Sequence, residues 1–129
     1  MQKFSKTHPV RNLFISIGAL LGFLSVALGA FAAHFLKEKL DPYMLEVFKT
    51  GVLYQFFHAL AIILVGILSV VYPQISLKIC GVLFFLGILF FSGSLYVLSI
   101  SNIKILGAIT PIGGVLFLAG WIVLFIKSL

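Results

Sequence analysis

The stretch TGVLYQFFHALAIILVGILSVVY, residues 50–72, decides the fold. From Gly51 to Tyr72 it contains no Asp, Glu, Lys or Arg, and its few polar residues stand singly or in pairs among apolar ones. A helix rises about 1.5 Å per residue, so about 20 residues of this kind cross the hydrocarbon core of a bilayer. A strand of a membrane barrel would alternate apolar and polar positions, and this stretch does not. It predicts a transmembrane helix.

Three further runs read the same way, at about residues 13–36, 78–100 and 105–126. Composition agrees. The chain is 62% hydrophobic and 9% charged, against about 25% charged in a soluble domain. Nine basic and three acidic residues on 129 cannot cover a soluble surface. The expected fold is all-α, an integral membrane bundle of four transmembrane helices with up-down topology, forming a single transmembrane domain over residues 1–129.

The breaks between runs carry recognisable signals. Lys37, Glu38, Lys39 and Asp41 end the first. Asp41-Pro42 reads as an N-cap followed by the first helical position. This predicts a short interfacial helix over residues 42–50 that bends at Gly51 into the second span. Pro73 stops the second run, Ser76 is a candidate cap for the third, and Ser101-Asn102 forms a turn before the fourth. Pro111 removes a backbone donor and predicts a kink near Gly107. The basic N-terminus, apolar stretch and small residues at 30–33 also resemble a signal peptide. The apolar stretch is about 20 residues long, beyond the 7–15 of a signal sequence, which favours an uncleaved first span.

The net charge of +6 is dispersed at the ends of apolar runs, where basic side chains anchor to headgroups. No nucleic-acid partner is implied. In an up-down bundle Lys3, Lys6, Arg11, Lys78 and Lys127 share the side of the termini, and Lys37, Lys39, Lys49 and Lys104 the other. The basic bias, weighted by the three residues before the first span, points to cytoplasmic termini. The single cysteine, Cys80, excludes an intramolecular disulfide.

Lipid tails give helices no hydrophobic reason to associate, so close contact through small residues must contribute. Gly18, Gly22, Ser25, Gly29 and Ala33 recur at helical spacing and predict a packing seam on the first helix.

The candidate site lies among the polar residues within the spans: His34, Tyr54, Gln55, His58, Ser92, Tyr96 and Thr110. By helical rise, His58 sits ~10 Å below the start of its span and Thr110 ~8 Å below its own. Ser92 and Tyr96 lie ~12 and ~6 Å from the end of theirs, and His34 ~3 Å in. All these ends face away from the termini. The polar groups therefore converge in one half of the bundle, beneath the connection that carries Glu38, Asp41 and Glu46, the only acidic residues. Two readings stand. The groups satisfy one another and fix helix register, or they form a small site in which His34 and His58 titrate near neutral pH. Catalytic motifs, phosphate loops and cysteine pairs are absent from the sequence, no cofactor is implied, and two histidines without a carboxylate make a poor metal site.

Four segments carry a resemblance: ALGAFAAHFL (27–36), TGVLYQFFHALAIIL (50–64), LFFSGSLYVLSIS (89–101) and TPIGGVLFLAGW (110–121). In that order they resemble the YwdK/YgdD-like family of small bacterial inner-membrane proteins, with Ala32 in place of a glycine. The resemblance implies a multi-pass protein of the bacterial plasma membrane, and supplies no biochemical activity. It also implies that His34, Thr50, Gly51, Tyr54, Gln55, His58, Ser92, Gly93, Ser94, Tyr96, Thr110 and Pro111 belong to the family pattern. Beyond the lipid bilayer itself, the expected partner is a small hydrophobic ligand, a lipid or a partner helix at the polar half. The alternatives are a His-dependent membrane enzyme or proton-coupled carrier, and a structural or assembly factor for another membrane protein.

Overall fold

The computed structural model describes residues 9–129, with side chains from Leu13 onward. Lys3, Lys6, His8 and the side chain of Arg11, the expected N-terminal anchors among them, lie outside that description. Four long helices follow in order: α1 (Pro9–His34), α2 (Pro42–Val71), α3 (Lys78–Ser101) and α4 (Thr110–Ser128). Single-turn 3-10 segments at Leu36–Glu38 and Lys104–Ala108 precede α2 and α4. No strand occurs among the described residues. All four spans, the last counted from Lys104, are long and apolar enough to cross a membrane. The chain is an all-α, four-span membrane bundle.

The start of α2 departs from expectation in an instructive way. Asp41 is the N-cap, with its side chain accepting from Met44 N at 2.9 Å, and Pro42 opens the helix. No separate interfacial helix and no bend at Gly51 follow. The helix is continuous over 30 residues, or ~45 Å, against a hydrocarbon core of ~30 Å. Its first turns carry the exposed Glu46–Lys49 pair at 3.7 Å and so project past the hydrocarbon. Gly51 serves packing instead. A Cβ there would lie 2.7 Å from Tyr96 Cε1, so the missing side chain admits the tyrosine ring.

Two other local expectations are corrected. Ser76 does not cap α3; the N-cap position is Leu77, with no side-chain bond. Pro111 does not kink a helix interior. It lies in the first turn of α4, where its missing N–H leaves no bond unmade, and the break from the preceding 3-10 turn falls at Ile109. Asn102 ends α3 in the left-handed region at φ 59°, donating its N–H to Leu98.

Within α3 the residues Ile88–Ser92 form a π turn, with Gly93 N–H bonded to the Ile88 carbonyl. One extra residue in the ladder rotates the last turns of the helix against the first. Phe84 before the turn and Ile88 at its start join the apolar core; Ser92 at its end and Tyr96 beyond it face α2, and Ser94 faces α4.

Neighbouring helices follow chain order, α1 on α2, α2 on α3, α3 on α4. The contacts are rings seated in glycine notches. Phe14 of α1 covers Gly81 of α3, Phe84 of α3 covers Gly120 of α4, and Phe117 of α4 covers Gly87 of α3. Gly113 brings α4 onto the α3 backbone at the π turn, where a Cβ would stand 2.2 Å from Phe91 N. The predicted seam on α1 is partly right. Gly18 sits against Ala59 and Ile63, and Ser25 is buried, but Gly22 meets nothing within 4 Å and Ala33 is exposed. The buried face runs through Phe14, Gly18, Ser25, Ala32 and Leu36, at the heptad-like spacing of two crossing helices.

Candidate functional site

Gln55 stands at the centre of the polar layer. It is buried on α2. Its Nε2 donates to the α1 carbonyl of Leu21 at 2.9 Å, and its Oε1 accepts from the Tyr96 hydroxyl of α3 at 2.6 Å. A carbonyl only accepts, so the Leu21 bond fixes which way the amide points. The Leu21 carbonyl also receives the Ser25 hydroxyl at 2.8 Å. One turn before Gln55, the Gly51 carbonyl accepts from the fully buried Ser92 hydroxyl at 2.7 Å. One amide thus ties three helices together.

His58, one turn further along α2, ties in the fourth. Its Nδ1 lies 2.8 Å from the Tyr54 carbonyl, and its Nε2 receives the Trp121 indole N–H at 3.0 Å. The carbonyl is only an acceptor and the indole only a donor, so both bonds hold together only in the neutral imidazole with its proton on Nδ1. Phe117 stacks on the imidazole at 3.6 Å between centroids, and Phe84 flanks it at 5.6 Å. Ser94 and Thr110 join α3 to α4 at 2.7 Å.

The sequence-predicted residues divide accordingly. Gln55, His58, Ser92, Tyr96 and Thr110 spend their polar groups within the bundle. Tyr54 contributes its carbonyl and packs its ring on Phe91 at 4.6 Å. Tyr54 is 39% exposed, and its hydroxyl has no protein partner among the described residues. His34 is exposed in the last turn of α1, and no hydrogen bond or ring contact among the described residues joins it to the others.

The layer is also not open to the acidic connection. Ala32, Leu36 and Phe48 are buried together at that end, with the Phe48 ring 4.9 Å from Tyr96. Glu46 pairs with exposed Lys49, and Asp41 is spent on its cap. The larger apolar cluster, including Phe14, Ile62, Val65, Cys80 and Phe84, fills the side of the termini. The polar groups therefore form a layer between two apolar plugs rather than a vestibule under the loop.

The candidate site read from the sequence left out Trp121, Ser94, which entered only through the family resemblance, and the hydrogen bond of Ser25 to the Leu21 carbonyl. Trp121 is the only tryptophan, and a tryptophan near a core seeks a partner for its N–H. That is the signal that could have found it. Which acceptor it meets depends on the packing of α4 against α2.

Comparison with known proteins places this chain in a family. The model described as "Protein of unknown function (DUF423)" matches residues 28–114. A UPF0382 membrane protein of Staphylococcus haemolyticus is 49% identical over 117 residues, covering 91% of this chain and 95% of the relative. A UPF0382 membrane protein of Staphylococcus aureus is 48% identical over the same shares. One from Staphylococcus epidermidis is 45% identical over 92% of this chain and 96% of its own. The chain belongs to the DUF423 family. No solved structure matches it.

The DUF423 match ends at Gly114, so it includes Gln55, His58, Ser92, Tyr96 and Thr110 but stops short of Trp121. It begins at Leu28, after the Leu21 carbonyl and Ser25. The relatives are bacterial membrane proteins. The family carries no assigned activity, and the protein is a multi-pass membrane protein of that uncharacterised family.

Proposed function

We propose that this DUF423 protein is a non-enzymatic membrane protein, its four spans working as one domain. It holds a small, largely apolar ligand, lipids included, against the polar layer from the side. The observation that carries this reading is the Tyr54 hydroxyl. Every other polar group of the layer is engaged inside the bundle, while Tyr54 is 39% exposed with its ring held by Phe91 and its hydroxyl without a partner among the described residues. An unpaired hydroxyl at membrane depth gains by meeting a ligand's polar group. Trp121, 43% exposed, offers a ring beside it through the shared stack of Tyr54, His58 and Phe117.

The carrier or enzyme alternative is less well supported, because both His58 nitrogens are engaged and His34 stands apart. An assembly factor that docks through the α1 glycine seam is also less well supported, because α2 occupies that seam at Gly18. We place the protein in the bacterial plasma membrane with cytoplasmic termini, in keeping with the YwdK/YgdD-like resemblance and the basic bias.

The test is Tyr54→Phe. The variant should melt in detergent like the parent and lose a molecule that mass spectrometry finds on the purified parent. Retention of that molecule by the variant, or nothing bound to the parent, would reject the reading. Loss of a co-purifying membrane protein instead would favour the assembly role.

A further inference from the structure

The end of the bundle nearest the termini holds two clefts of similar build. One, of about 220 Å³, lies between the end of α2, the following loop and α4. Leu68, Ile75, Leu77 and Leu124 line it, with Tyr72 and Lys127 among its walls. The other, of about 250 Å³, lies between α1, α2 and α3. Phe14, Ile17, Val82 and Phe85 line it, together with Lys78. Each is an apolar groove with a single lysine. Lys78 is the first residue of α3 and Lys127 is in the last turn of α4. Both therefore stand at headgroup level on the same face of the membrane.

Three observations converge on one occupant. The walls are mainly apolar, almost wholly so in the second cleft and with Tyr72 and Ser128 beside the lysine in the first, so water gains little along the apolar walls, and an empty groove forfeits dispersion contact that an acyl chain restores. Both lysines are exposed, and among the described residues neither makes an ion pair; the one pair found is Glu46–Lys49 at the opposite end. All three acidic residues, Glu38, Asp41 and Glu46, also belong to that opposite end. The lysines of the terminus-side face thus have no acidic side chain at their own end to offset them.

We propose that anionic phospholipids of the leaflet facing the termini occupy these two clefts, an acyl chain in each groove and the phosphate on Lys127 or Lys78. The sites lie at the other end of the bundle from Tyr54 and do not depend on its reading. Their consequence is preferential retention of anionic lipid, which fastens the short 72–77 loop to the membrane surface.

The experiment uses the full chain, delipidated in detergent and titrated with phosphatidylglycerol or phosphatidylcholine, with bound lipid counted by native mass spectrometry. Phosphatidylglycerol should be retained over phosphatidylcholine. Lys127→Gln and Lys78→Gln should each lower retention at one site about fivefold, the factor that about 1 kcal/mol per basic residue represents. Leu124→Trp, which fills the first groove without touching charge, should remove one lipid and leave the other. Lys104→Gln, at the opposite end, should change nothing. Equal retention of the two lipids would overturn the proposal, as would a Lys104→Gln effect as large as that of Lys127→Gln. Displacement of the bound lipid by inorganic phosphate alone would also overturn it, by assigning the lysines to a free anion.

Discussion

The indole N–H of Trp121 reaches across from α4 to Nε2 of His58 on α2 at 3.0 Å, and so joins two helices that are held together chiefly through side chains. Trp121→Phe keeps an aromatic ring but leaves Nε2 without its donor. A lone hydrogen bond between membrane helices is worth about 0.6 kcal/mol on average and rarely more than about 1.7, while a stranded buried acceptor costs about 1–3. The expected loss is about 1 kcal/mol, read from reversible unfolding in mixed detergent micelles. His58→Phe should shift the emission of the sole tryptophan to shorter wavelength, since the indole loses its acceptor. An unchanged spectrum would place the pair apart.

The imidazole should also show one tautomer. Nitrogen spectra of labelled protein in detergent are expected to report a proton on Nδ1 and none on Nε2 of His58, because the Tyr54 carbonyl only accepts and the indole only donates. A protonated Nε2 at neutral pH would contradict this arrangement.

Gln55 and Tyr96 should be energetically coupled. Tyr96→Phe strands the amide oxygen, and Gln55→Met strands both the Tyr96 hydroxyl and an acceptor position at Leu21. The double variant leaves fewer unmet groups than the singles combined, so the cycle should yield a coupling of about 0.5–1.5 kcal/mol. Strict additivity would mean that the two side chains do not meet.

Glycine notches differ sharply in what they tolerate. Gly113→Ala drives a Cβ to 2.2 Å from the Phe91 backbone nitrogen, where no flexible side chain can yield. A cost of about 1–3 kcal/mol or more is expected, as for other overpacked cores. Gly22→Ala meets open space and should raise stability by about 0.5–1 kcal/mol through helix propensity. The two melting shifts should therefore have opposite sign, although a small-residue pattern treats both glycines alike.

The contrast between those glycines marks where sequence reading ran out. Periodicity located a stripe from Gly18 to Ala33, but α1 buries Ala32 instead of Ala33, with Leu36 of the next turn beside it, and leaves Gly22 open, because the crossing with α2 follows a heptad-like line. Residues 42–50 read as a separate interfacial helix because Asp41-Pro42 signals a helix start and Gly51 offers a bend. They are the first turns of a helix too long for the hydrocarbon, and charge at its end is satisfied by projecting outward. The polar residues were recognised individually, since each is costly in lipid. Their partners were not, because three of the acceptors are backbone carbonyls, of Leu21, Gly51 and Tyr54, and no residue pattern announces a carbonyl.

Local chemistry was enough for the four spans, for the breaks at Asp41-Pro42 and Pro73, and for the need of buried polar groups to find partners. A run of about 20 apolar residues has no stable place but a bilayer, and Asp41-Pro42 or Pro73 acts within a turn of its own position. The tertiary structure alone decided that the polar groups form a closed layer between two apolar plugs, with Trp121 as the link to α4 and Tyr54 as the group left over. The π turn in α3 is the physical reason. It rotates Ser92, Ser94 and Tyr96 against Phe84 by one residue's angle, and only the packed helices show which neighbour each side chain then faces.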